Sequence, residues 1–254
     1  MAKSLLTDVV VLLVVFIGVP VASGQQGNKP RLPSVLLIGD RVYQQFVLAS
    51  VRDELKDQAT VNLAVWPKDV LPNSTNMLQH LDLLLGISNA AGKEVPQDKR
   101  PTWDLIHFNA GFGDLIYCVP NLKSHRTLPH DLGGVVRTDP NQYEKNLVML
   151  VQQLKEKAPN AKLVWGNTTP IRYSRNGYFK PGDEIAYNQI AQKVMIRHRV
   201  PINDLHNYAK SIIDMDKPGP RDLDPFYFDN KQLHPPVVDS IVRELGLKPK
   251  DRKK

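Results

Sequence analysis

The sequence is poor in cysteine and in aromatic residues. Cys118 is the single cysteine among 254 residues, so an internal disulfide is excluded and the fold must be held by its core. Aromatic residues make up 7% of the chain, and no basic stretch is interleaved with aromatic side chains as in nucleic-acid-binding modules. We therefore predict no nucleic-acid partner.

Long apolar runs are also scarce. The one near the amino terminus, residues 9–21, is shorter than the ~20 residues that a membrane-spanning helix needs. Lys3 precedes this run, and the small residues of a cleavage site follow it at 22–24. We predict a signal peptide over residues 1–24, cleaved after Gly24, and a secreted or periplasmic protein without stable membrane insertion. An uncleaved amino-terminal anchor is the alternative.

Positive charge is concentrated at the carboxyl terminus. The formal net charge is +7, and five basic residues stand in the tail 248–254 beside a single acidic one. This tail could contact an anionic surface, although a solvated chain end is the simpler interpretation. The remaining residues, 25–247, are enough for one sizeable core, so we predict a single domain. The sequence does not indicate its oligomeric state.

Strand-like apolar runs alternate with helical patterns along this domain. The runs are 35–38, 59–65, 104–109, 162–166 and 200–205. Between them we predict helices that include one over 77–85, a long one beginning at Asp139 with Pro140 at its first position, and a last one over 236–245. Alternation of this kind predicts an α/β domain with a doubly wound parallel sheet between two layers of helices.

Ligand sites in such sheets lie outside the carboxyl ends of the strands. The segments predicted there are 39–42, 66–76, 109–117 and 167–174, joined by 226–236 from the end of the chain. Aromatic residues in or near these segments would suit a sugar ring or would simply pack; they are Trp66, Trp165, Tyr173, Tyr178 and Phe226. The long polar loops 86–101 and 119–138 either cover the site or are surface insertions.

Three motifs carry a resemblance to a known family. The first strand ends in Gly39-Asp40-Arg41, which resembles a Gly-Asp-Ser block. The stretch 106–115 resembles a block in which a Gly-x-Asn-Asp or Gly-x-His-Asp turn follows a strand, and 230–234 resembles a block that supplies a catalytic histidine. In this order, over about 33–245, the chain resembles the SGNH, or GDSL-type, hydrolases. The resemblance implies a flavodoxin-like sheet and hydrolysis of carboxylic esters, carbohydrate O-acyl esters among them, without a cofactor.

The family's catalytic groups are mostly replaced in this sequence. The family uses a serine nucleophile, a histidine that takes its proton, and an aspartate three residues before that histidine. Here the serine position is Arg41, whose guanidinium has no lone pair for attack. Lys231 stands three residues before His234, so that only the histidine matches. Asp229 is the candidate for a displaced acidic partner.

The oxyanion-binding groups depart from the family as well. The side-chain donor of the third block falls at Gly113, which offers none. The second block should lie near 71–75, where no glycine occurs and where Pro72 lacks a backbone N–H. Asn73 or Ser74 could donate in its place. The former active-site cleft is assigned to Gly39, Asp40, Arg41, Asn73, Asn109, Gly113 and Asp114.

Three functions remain open at this point. The first is a secreted SGNH-type protein that is inactive or weakly active on esters. The second is an active ester hydrolase that uses His234 with an unrecognised partner, and the third is a sugar- or anion-binding module centred on Arg41. The expected partner is a small-molecule or carbohydrate ester. Because the spacing of His125, His130 and Asp131 matches no standard site, we predict no metal.

Overall fold

The computed structural model describes residues 31–40, 42–43, 47–122, 126–216, 228 and 231–249. Contacts divide the chain into two units, Met1–Arg31 and Leu32–Lys254, and every element described below belongs to the second. The predicted signal peptide, Arg41, Asp229 and the end of the basic tail lie outside the described residues.

Within the described residues, five strands form one parallel sheet. All the strands of the described residues, in chain order, are β1 (Ser34–Ile38), β2 (Thr60–Leu63), β3 (Leu105–Phe108), β4 (Tyr117–Cys118), β5 (Val135–Val136), β6 (Lys162–Gly166) and β7 (Ile202–Asn203). Of these, β4 and β5 form a separate antiparallel pair outside the sheet. The sheet order is β2-β1-β3-β6-β7, which is the flavodoxin-like order and confirms the predicted fold class. The order reverses beside β1, so the ligand crevice of this topology lies beyond the ends of β1 and β3.

Helices connect these strands. In chain order they are α1 (Leu48–Leu55), α2 (Ser74–Gln79), α3 (Leu81–Leu84), α4 (Phe112–Leu115), α5 (Pro140–Lys157), α6 (Asp183–Arg197), α7 (Leu205–Ile212) and α8 (Pro235–Leu245). The long helix α5 begins as predicted, because the Asp139 carboxylate accepts the backbone N–H of Gln142 at 3.0 Å and Pro140 takes the first helical position. The single helix predicted over 77–85 is instead two, because the backbone of His80 leaves the helical region.

The core lies on both faces of the sheet. Val35–Ile38 and β3 are buried along their whole length, as expected of central parallel strands that helices cover on two sides. On one face, the rings of Phe108 and Trp165 pack edge to face with their centroids 5.2 Å apart. The indole of Trp165 therefore packs in the core, although the residue lies near the end of its strand. On this scaffold the strand ends are fixed, and the loops that follow them form the site.

The predicted loop 119–138 contains regular structure in its described part. Its end, β5, pairs antiparallel with β4. Tyr117 also donates its backbone N–H to the Tyr178 carbonyl at 2.8 Å, which ties β4 to the segment that follows β6. No helix in the described part of the chain has the length and apolar character needed to cross a membrane.

Candidate active-site cleft

A small cavity opens at the crevice between the ends of β1 and β3. Its volume is about 220 Å³, and Asp40 and Gly113 lie in its wall together with Pro72. The other lining side chains are apolar: Val42, Leu71, Phe112, Ile116 and Phe179. The structure thus brings together Asp40 and Gly113, two of the residues assigned to this cleft, in a mostly apolar surround.

The loop before α2 lies directly against the turn after β3. A β-carbon built on Gly113 would stand 1.9 Å from the Pro72 carbonyl oxygen and 2.9 Å from the Asn73 β-carbon. No side chain fits at Gly113 unless the backbone at Pro72 moves. Where the family resemblance implies hydrogen-bond donors for an oxyanion, Pro72 instead presents a carbonyl oxygen, which is an acceptor.

Asp114 holds this loop in place. Its carboxyl accepts the Ser74 hydroxyl at 2.6 Å and the Ser74 backbone N–H at 3.0 and 3.1 Å. Asn146 on α5 donates in turn to the Ser74 and Thr75 hydroxyl oxygens at 2.8 and 2.9 Å. Because Ser74 is fully buried and its donors point at Asp114, it stabilises the loop and is not placed to attack or bind a substrate.

Two buried carboxyl groups with raised pKa values stand at this site. Burial raises the pKa of Asp40 to about 7, opposed by backbone hydrogen bonds from Val42 and Tyr43 and helped by the nearby charge of Asp114. Burial likewise raises the pKa of Asp114 to about 6, against hydrogen bonds from Ser74 and Thr138. Ionising either group in the folded protein therefore costs free energy.

The two asparagines assigned to the cleft are engaged by the backbone. Asn109 donates its side-chain N–H to the Gly166 carbonyl at 2.8 Å, which joins the end of β3 to that of β6. The Asn73 side-chain oxygen accepts the Asn76 backbone N–H at 2.7 Å and so caps α2. Gly39 leaves room for the Tyr43 ring, which a β-carbon at that position would meet at 2.5 Å.

His234 ends the last loop and precedes α8. Its ring is buried, and Nε2 lies 3.3 Å from Oε2 of Glu54 on α1. Sequence reasoning missed Glu54, because a glutamate on a helix gives no local signal of a partner 180 residues further along the chain. The pair places a carboxylate against the imidazole nitrogen that abstracts the serine proton in a catalytic triad.

A second histidine, His107, belongs to the core below the cleft. Its Nδ1 lies 3.0 Å from the Tyr43 hydroxyl, and its Nε2 lies 2.9 Å from the side-chain nitrogen of Asn203. Burial lowers the pKa of His107 to about 3, so the ring is neutral at physiological pH. Both ring nitrogens of His107 have hydrogen-bond partners, so His107 packs and hydrogen-bonds in the core.

Among the described residues, no three histidine, cysteine, aspartate or glutamate side chains lie close enough together to hold a metal ion. Among the described residues of the cleft wall, the polar groups are carboxyls, amides and carbonyls. This arrangement can hold a small apolar group and accept a hydrogen bond from a donor beside it, but the described lining of the cavity includes no serine, threonine or cysteine.

No family model matches the chain, and no curated protein matches it. Solved structures, in contrast, do match the chain. A lipase/acylhydrolase from Enterococcus faecalis has 17% identity and a TM-score of 0.58, with 87% of this chain and 100% of that chain covered. An acetylxylan esterase from Geobacillus stearothermophilus, solved as a catalytic mutant, has 14% identity and a TM-score of 0.53, with 87% and 97% covered.

A GDSL-like lipase from Parabacteroides merdae gives the same architecture, with 12% identity, a TM-score of 0.52, and 86% of this chain and 99% of that chain covered. At such identities the likeness establishes the fold and not the activity. The sheet order, the crevice between β1 and β3 and these neighbours agree: the chain has the fold of the SGNH, or GDSL-type, hydrolases.

Proposed function

We propose that this protein is a secreted, SGNH-fold relative of the carboxylic-ester hydrolases that no longer hydrolyses esters at an enzymatic rate and retains its cleft as a ligand site. The position of the family's serine is Arg41 in the sequence, and a guanidinium cannot act as a nucleophile. Removing the nucleophile of a catalytic triad removes most of its rate, because the members act as a unit.

The observation that carries this proposal is the contact of Pro72 with Gly113. An ester hydrolase lowers its barrier mainly with donors aimed at the developing oxyanion. Here the second-block loop closes onto Gly113 with a carbonyl oxygen, 1.9 Å from the place of a β-carbon. A negative charge developing beside this oxygen would be repelled. The proposal therefore has two grounds: the serine nucleophile is missing, and a carbonyl oxygen stands where the transition state would need hydrogen-bond donors.

The shape of the cleft supports a ligand with a small apolar group. The cavity has six apolar lining side chains and a volume of about 220 Å³, so it suits the methyl of an acetyl or similar acyl group better than a hydroxyl-rich sugar ring. Two of the structural neighbours are acetylxylan esterases. We propose an O-acylated carbohydrate as the ligand class, held by its acyl group without turnover.

The test is turnover by the purified protein on aryl acetates and on acetylated xylo-oligosaccharides, beside the His234→Ala variant. We expect both proteins to release acetate at the same low rate, near that of free imidazole. Binding without turnover is expected to show as a ligand-dependent rise in Tm that both proteins share. Turnover that His234→Ala abolishes would reject the proposal.

The Glu54–His234 pair favours a second candidate, an active hydrolase in which His234 works with a carboxylate partner other than Asp229. The 3.3 Å contact gives Nε2 of the imidazole an acidic neighbour, so in this candidate Nδ1 would have to act as the base. In that case Glu54→Gln should lower kcat about as much as His234→Ala does. Equal and low activity of wild type, Glu54→Gln and His234→Ala excludes it.

The third candidate, a sugar- or anion-binding module centred on Arg41, stays a proposal from the sequence, since Arg41 lies outside the described residues. An arginine at the mouth of a sheet can bind a carboxylate, sulfate or phosphate with two parallel hydrogen bonds. Arg41→Ala should then lose affinity for these anions while keeping its Tm. Unchanged affinity would reject this reading.

A further inference from the structure

A second cavity lies near the β7 edge of the sheet and shares no lining residue with the cleft. Its volume is about 370 Å³, and it lies between α6, α7 and the ends of β6 and β7. Half of its lining residues carry amide side chains: Asn167, Asn188, Gln189, Gln192 and Asn207. Its apolar lining residues are Trp165, Ile185 and Ile202. Its size is within the range of small-molecule sites, and its wall is more polar than that of the cleft.

One wall of this cavity is a preorganised amide–carboxylate chain. Asn167 donates to the Asp204 carboxylate at 2.8 Å and accepts the His206 backbone N–H at 2.8 Å. Asn207 donates to Asp204 with its backbone and its side chain, at 3.1 and 2.6 Å. Partial burial raises the pKa of Asp204, but these hydrogen bonds outweigh it and leave the pKa below its usual value. Asp204 is therefore ionised and fixed in place.

The opposite wall is the face of α6. Asn188 exchanges two hydrogen bonds of 2.8 Å with the Thr168 backbone, which locks the helix to the segment after β6. Gln189 and Gln192 extend from the same face and are exposed, so their amide groups are available as both donors and acceptors.

An imidazole–carboxylate pair stands beside the cavity. Nε2 of His206, a lining residue, lies 3.4 Å from Oε1 of the buried Glu184, and Oε2 of Glu184 accepts the Gly182 backbone N–H at 2.9 Å. These contacts fix the orientation of the His206 ring.

The three tryptophans of the chain differ in their surroundings. The indole N–H of Trp66 donates to the Gly39 carbonyl at 3.0 Å, and that of Trp103 donates to the Leu85 carbonyl at 3.1 Å. Trp165 lines the cavity and is fully buried, yet within the described part of the chain its indole N–H has no acceptor. Because Trp165 lines this cavity, whereas the indole N–H groups of Trp66 and Trp103 are bound to backbone carbonyls elsewhere, the Trp165 indole can report on a ligand here.

The charge and chemistry of the wall select the ligand class. The described lining residues include Asp204 and neither lysine nor arginine, which disfavours phosphate, sulfate and carboxylate ligands. Planar amide and carboxylate groups instead pair well with hydroxyl groups that both donate and accept. We propose that this cavity, lined by Asn167, Gln189, Gln192, Asp204 and His206 over the indole of Trp165, binds a neutral carbohydrate.

Nuclear magnetic resonance of the indole N–H groups tests the proposal directly. The full-length protein labelled with 15N is titrated with xylotetraose, cellotetraose and maltotetraose at millimolar concentrations. The chain has three tryptophans, so three indole resonances can be assigned with Trp66→Phe and Trp103→Phe. We expect the Trp165 resonance to move in a saturable way with at least one of the sugars, while those of Trp66 and Trp103 stay in place.

Variants on α6 provide the matched comparison. Gln189→Ala with Gln192→Ala should weaken the affinity about tenfold, the effect of losing one or two hydrogen bonds to the ligand. Gln152→Ala, at an exposed glutamine on α5, should leave it unchanged. The proposal is overturned if none of the three sugars moves the Trp165 resonance, or if the double variant binds like wild type. A shift of Trp66 alone would also overturn it, because the ligand would then lie beside Trp66 and not in this cavity.

Discussion

The carbonyl oxygen of Pro72 occupies the space that a side chain at residue 113 would need, 1.9 Å from the position of a Gly113 β-carbon. The loop before α2 and the turn after β3 are therefore packed backbone against backbone. This contact closes the place where the family resemblance implies an oxyanion hole, and it makes Gly113 a packing requirement.

Gly113→Ala should destabilise the protein by about 3 kcal/mol, at the upper end of the usual cost of overpacking, because the added methyl group meets backbone that cannot rotate away. Chemical denaturation with urea measures the loss. Gly92→Ala is the control: a β-carbon there meets nothing within 4 Å, and the cost should be only the strain of a φ of +72°. A loss at Gly113 no larger than that at Gly92 would contradict the described contact.

Ser74→Ala should cost about 1 kcal/mol, because it removes the hydroxyl that links the buried Asp114 carboxyl to the Asn146 amide, while the backbone N–H of residue 74 stays bound to Asp114. The free energy of unfolding of Ser211→Ala, an exposed serine on α7, should change by much less. If the two variants are equally stable, the Asp114 network does not hold the loop.

Asp40→Asn should reduce the pH dependence of stability. A carboxyl whose pKa is raised on folding contributes stability that is complete below its ordinary pKa of 3.8 and is lost as the pH rises through about 7. Wild type should therefore lose more free energy of unfolding than Asp40→Asn between pH 4 and pH 7, since the amide cannot ionise. Urea denaturation across that range gives both curves, and parallel curves would show that burial does not raise this pKa.

Glu54 and His234 should be energetically coupled. A double-mutant cycle with Glu54→Gln and His234→Gln, measured by urea denaturation, should give a coupling energy of about 1 kcal/mol for this largely buried pair. Additive effects of the two substitutions would mean that the contact contributes nothing to the fold and would leave His234 available for another role.

Much of the fold could be predicted because its signals are local. β1, β3 and β6 are short apolar runs, and the start of α5 is marked by Asp139 and Pro140. The break at His80 was missed, since the apolar spacing of 77–85 continues through a residue whose backbone leaves the helix. The pairing of β4 with β5 was missed because each strand has only two residues, too few to show an alternating pattern.

The site could be predicted only in part. Asp40 and Gly113 are neighbours because the sheet order brings the ends of β1 and β3 together, which the strand pattern implies. The partners of the side chains could not be inferred. Asn109 bonds to Gly166 and His234 contacts Glu54 through the tertiary packing of elements far apart in the sequence.

The most direct test of the proposed loss of chemistry is covalent labelling. The purified protein is incubated with an aryl fluorophosphonate, which forms a stable adduct with an activated serine, and its intact mass is measured. We predict an unmodified mass after an incubation that labels an active SGNH esterase to completion. A stoichiometric adduct that maps to a serine of the cleft, and that His234→Ala prevents, would contradict the account.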